Sequence, residues 1–139
     1  MAAMSVPAIR EFLRVEFPQV FGDGALSVVS AEGGEARIAL TPSEAHLRPG
    51  DIISGPTIMT LVDGAAYVAL LSLDERAQMA VTSDLTIHFL RGGAPGARVF
   101  QDAKVIKAGR RLSVVTCQTL SEDDRLLAHA TVSYAMPAE

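Results

Sequence analysis

Between residues 52 and 73 the chain has a single charged side chain, Asp63, set among Ile58, Leu61, Val62, Ala65, Ala66, Val68 and Ala69. A carboxylate in such apolar company is costly unless it is paired or hydrogen-bonded, and sites of that kind are where acid–base groups are tuned. A structural alternative stands beside it, in which Asp63 bonds a nearby hydroxyl such as that of Thr60. The second feature is Ser54-Gly55-Pro56 at the head of the same stretch. Ser54 suits a helix cap and Pro56 a first turn, so free N–H groups and the positive end of the helix dipole point outward there. Such an end can hold a carbonyl oxygen that becomes an oxyanion, although every helix has one. Gly55 and Asp63 are eight positions apart, about 12 Å at the helical rise, which is too far for both to serve one small group in the same subunit.

Other chemistries find little support. His46, His88 and His129 fit no metal-binding spacing, so no metal is expected. His46, in a loop before the helix, is a candidate for lining a site. No GxSxG elbow is present, which removes the serine-hydrolase mechanism that depends on it. Cys117 is the only cysteine and cannot form an internal disulfide; a reducing, cytoplasmic setting is the expectation. A net charge of -4 argues against nucleic acid, which rewards a clustered basic face. The apolar stretch is long enough to raise a membrane reading, but Asp63 at its centre and the strand-forming sequence around it favour burial against protein.

The elements that must position these residues follow from periodicity. Val6, Ile9, Phe12, Leu13 and Phe17 carry helical spacing, with Ser5 as cap and Pro7 in the first turn. Around Gly33-Gly34 the alternation of Ala36, Ile38 and Leu40 with Glu35, Arg37 and Ala39 reads as a hairpin. The span 41–55 is a loop, and 56–73 is a helix buried on most sides, since small and aliphatic residues occupy nearly every face. Strands are predicted over 79–90, 98–108, 112–120 and 126–135, with short turns that favour an antiparallel meander. With 139 residues, 49% apolar, and no Trp, the chain makes one α+β domain spanning 1–139 around an aliphatic core. A lone helix wrapped by a curved sheet leaves sheet edges open, which a second copy would satisfy.

The string HLRPGDIISGPTIMTLVDGAAYVAL from His46 to Leu70, continued by VTSDLTIHFLR at Val81 to Arg91 and KAGRRL at Lys107 to Leu112, resembles the hotdog-fold acyl-CoA thioesterases of the PaaI-like group. Their motif runs from an Asn through a Gly to His-Gly-Gly, then Leu-x-Asp within the long helix. The resemblance implies a sheet wrapped around a central helix, a homodimer or homotetramer, and active sites at the subunit interface. It implies that the Gly55 N–H binds the thioester carbonyl and that Asp63 of the facing subunit acts as nucleophile or general base, assisted by the Thr82 hydroxyl. The substrate implied is an acyl-CoA, with no cofactor. Arg110 and Arg111, in a turn near Lys107, then become candidates for gripping the phosphates of coenzyme A, against the plain alternative of a solvated turn. The chain departs from the family motif at three positions: Ser54 stands for His, Pro56 for the second Gly and Arg48 for Asn. Those changes keep a second reading open, a hotdog protein that binds acyl-CoA without hydrolysing it.

Overall fold

The computed structural model describes residues 2–94 and 96–138. Helix α1 (Val6–Glu16) is capped by Ser5, whose hydroxyl accepts from the Ala8 N–H, and short α2 (Pro18–Phe21) follows it directly. Strands β1 (Leu26–Glu32) and β2 (Glu35–Leu40) form a hairpin across Gly33-Gly34, both at positive φ as a tight two-residue turn requires. A loop with the miniature pair β3 (Leu47–Arg48) and β4 (Ile52–Ile53) leads into α3 (Gly55–Leu71). Strands β5 (Val81–Phe89), β6 (Val99–Ala108), β7 (Leu112–Ser121) and β8 (Leu126–Ala135) complete the chain.

One six-stranded antiparallel sheet runs in the order β1-β2-β6-β7-β8-β5, and α3 touches all six strands. The sheet therefore curves around the helix. Gly64, Ala65, Ala66 and Ala69 keep the helix surface flat enough for close approach, while Ile58, Leu61, Val62, Val68 and Leu71 fill the space on either side. Each of those larger side chains contributes about 1.5–3 kcal/mol by leaving water. The role of α2, unforeseen in the sequence, is to lay Phe21 over Gly64, where a Cβ would stand 3.3 Å from the ring.

The expected meander holds only for β6-β7-β8. Strand β5 pairs with β8 at the far edge and not with β6. At its exit the Leu90 and Arg91 N–H groups both donate to the Leu127 carbonyl of β8. Gly93 then passes under the entry to α3, accepting from the Ile53 N–H. A Cβ on Gly93 would lie 2.8 Å from the Ile53 side chain, so the glycine makes this crossing possible.

The two sheet edges differ. At β1, α1 packs over the strand and the Arg10 guanidinium donates to the Val28 carbonyl at 2.7 Å, beside a bulge between Val28 and Ser30. At β5, Val81 and Phe89 are 62% and 54% exposed. No described helix is long and apolar enough to cross a membrane.

Candidate active site

Ser54 caps α3 as its sequence indicates, its hydroxyl accepting from the Thr57 N–H at 3.2 Å and lying 2.8 Å from the Thr57 hydroxyl. Pro56 occupies the first turn, where its missing N–H leaves no helical bond unmade. Two turns further on, Asp63 faces the β5–β8 edge of the sheet. The Thr82 hydroxyl donates to its Oδ1 at 2.7 Å, and the Tyr134 hydroxyl reaches the same oxygen at 2.6 Å while lying 2.9 Å from the Asp63 backbone carbonyl. Thr60 is not the partner of Asp63; its hydroxyl donates to the Pro56 carbonyl one turn back.

Strand register explains why Thr82 and Tyr134 meet there. They are direct cross-strand partners in β5 and β8. On β8 the helix-facing residues are Ala128, Ala130, Val132 and Tyr134, opposite Phe89, Ile87, Leu85 and Thr82. Leu85 and Thr82 are three residues apart, and a bulge between Thr82 and Asp84 absorbs the extra residue. Without it, Thr82 would fall on the outer face.

A cavity of about 520 Å³ opens beside Asp63, walled by Phe12, Phe17, Tyr67, Met79 and Tyr134. The Tyr67 and Tyr134 rings stack at 6.4 Å, and the Tyr67 hydroxyl donates to the Gln78 carbonyl at 2.7 Å. Burial pushes the Tyr67 phenol up to about 12. Burial, then the charge and hydrogen bond of Asp63, raise Tyr134 well above the ordinary phenol value. Tyr134 is thus a neutral donor at physiological pH. Behind the helix, Cys117 is pushed up to about 12, first by burial and then by Asp63.

Of the residues singled out in the sequence, only Thr82 lies beside Asp63 within one chain. Gly55, Ser54 and His46 gather at the other end of the helix, where the His46 carbonyl accepts from the Ser54 N–H and the Thr57 hydroxyl. His46 borders a separate cavity of about 240 Å³, and its Nδ1 accepts from the Ser43 N–H at 2.9 Å. Arg48 is exposed on β3. Arg110 and Arg111 are exposed in the β6–β7 turn, at the same end of the sheet as Tyr134, because Leu112 pairs with Ala135. Among the described residues no group of three or more His, Cys, Asp or Glu is placed to hold a metal. Tyr134 went unnoticed in the sequence, although a polar-tipped aromatic on a strand face otherwise made of Ala and Val signals a buried partner.

Residues 50–134 match the family model of the thioesterase superfamily, and the chain belongs to that superfamily. A Saccharolobus solfataricus protein named as a candidate esterase is 28% identical over 136 residues, covering 98% of this chain and 88% of the relative. A crystal structure of a Silicibacter protein named as a candidate thioesterase superposes with a TM-score of 0.87 at 29% identity, over 99% of this chain and 95% of its own. A Streptococcus mutans protein solved with acetyl-CoA shares the fold, with a TM-score of 0.76 at 24% identity over 86% and 93% of the two chains. The fold is the hotdog.

Proposed function

We propose that this protein hydrolyses an acyl-CoA thioester to the free acid and coenzyme A. The observation that carries the reading is Asp63, a carboxylate held by two hydroxyls at the wall of a cavity in a chain of the thioesterase superfamily. Coenzyme A as the carrier is supported by the acetyl-CoA bound to the S. mutans protein of the same fold. In the proposed reaction Asp63 acts as general base or as nucleophile. By either route the acyl carbon gains one oxygen from water, the C–S bond breaks, and the coenzyme A sulfur leaves with a proton.

The carbonyl oxygen needs its own donor. Gly55 opens α3, where N–H groups point off the helix end, but it is about 12 Å along the axis from Asp63. In this proposal a second copy pairs along the open β5 edge, where Val81 and Phe89 are exposed, and brings its Gly55 to the first copy's Asp63. Sedimentation at micromolar concentration is expected to give a dimer or tetramer; a stable monomer would remove this arrangement.

A second reading, acyl-CoA binding without turnover, rests on Pro56, which offers no N–H, and on Ser54, whose hydroxyl is committed to the cap. A panel of acyl-CoA thioesters assayed for thiol release separates the two. Turnover supports the hydrolase; thioesters that raise the melting temperature without turning over support the binder.

A further inference from the structure

We infer that Tyr134 is a positioning residue that, with Thr82, pins one oxygen of Asp63 so that the other, Oδ2, is the oxygen presented to the reactants. The inference rests on the hydrolase reading above. Both hydroxyls converge on Oδ1, at 2.7 Å and 2.6 Å, and among the described residues Oδ2 takes no hydrogen bond from its own chain. Charge-assisted O–H···O⁻ bonds of this length are strong and directional, so the pair fixes the rotation of the carboxylate.

The tyrosine is itself held. Its ring is 3% exposed, stacks on Tyr67, and keeps its hydroxyl within reach of the Asp63 backbone carbonyl as well as the carboxylate. A carboxylate free to rotate would expose its oxygens in turn; one held at Oδ1 offers the same lone pairs at every encounter. Preorganisation of that kind raises the rate of the chemical step more than it improves binding.

Steady-state kinetics of thiol release, with kcat and KM separated, test this in Tyr134→Phe, Thr82→Ala and the double variant. Tyr134→Phe keeps the ring and its stacking and removes only the hydroxyl; Thr82 is exposed, so Thr82→Ala does not threaten the fold. Tyr134→Phe is expected to lower kcat about tenfold or more, the loss of one hydrogen bond to a charged group, with KM little changed. The double variant should fall well short of the product of the two single losses, because both hydroxyls act through one oxygen. In an Asp63→Asn background, Tyr134→Phe should leave the residual rate unchanged. A parental kcat in Tyr134→Phe, with hydrolysis still dependent on Asp63, overturns the inference and leaves the hydrolase standing. If the parent turns over no thioester, the hydrolase reading fails. The Asp63 carboxyl ¹³C resonance, assigned by its absence in Asp63→Asn, then decides the contact: displacement in Tyr134→Phe supports the pinned carboxylate, and an unmoved signal overturns it.

Discussion

At its first turn α3 is held by its own neighbours, with Ser54 capping Thr57 three residues on; at Asp63 it is held by hydroxyls that lie 19 and 71 residues away in sequence. The Ser54 cap is a local device that any helix of this sequence would form, and the loop carbonyl of His46 adds to it. The far end exists only when β5 and β8 are paired in register. One helix thus carries a locally capped end and a carboxylate fastened by two strands, and the two respond to different perturbations.

Asp63→Asn strikes the far end directly. The amide keeps the shape but neither attacks nor accepts a proton, so kcat should fall at least about 10²-fold while ligand-induced stabilisation and oligomeric state persist. Loss of the fold instead would make Asp63 a structural carboxylate. Parental turnover in a folded variant would rule out the mechanism.

Alkaline titration acts on the far end, because the groups packed around it are ones burial has shifted. Cys117 rises from 9.0 to about 12 and Tyr67 from 10.0 to about 12, each because its charged form is poorly solvated in the folded state. The folded chain therefore keeps protons that the unfolded chain gives up. The stability this contributes is complete below about pH 9 and is lost as pH rises toward 12. The melting temperature should fall by several degrees across that window, and more gently in Cys117→Ala. An equal slope in Cys117→Ala would mean the thiol is open to water, and a flat profile that Tyr67 is open as well.

Arg110→Ala with Arg111→Ala lies between the two ends in effect. Removing both should raise KM for acyl-CoA a few-fold and flatten its salt dependence, and leave small thioesters without the nucleotide unchanged. Equal loss on both substrates would assign the arginines to the fold. The mildest change is Ser54→Ala at the near end, expected to cost about 1 kcal/mol by thermal or chemical unfolding, as the loss of an N-cap does.

The same division decides what could be read before the structure. Ser5 and Ser54 as caps, the Gly33-Gly34 hairpin and the bounds of β8 all depend on residues close in sequence, and they emerged as read. The path of β5 did not, because a glycine-rich segment after a strand looks like a turn whether or not Gly93 is threading past Ile53. Thr82 entered only through family resemblance: alternation counted along β5 without its bulge sends that side chain outward. Tyr134 was missed because its partner is 71 residues away, and no spacing rule connects β8 to the middle of α3.

The aliphatic core leaves the protein with few aromatic chromophores. The protein has no tryptophan and only two tyrosines, and both are in the wall of the cavity beside Asp63. Excited in the tyrosine band, its emission therefore originates from Tyr67 and Tyr134. An acyl group entering that space would change the light from both rings, so the unlabelled protein is its own optical sensor for occupancy.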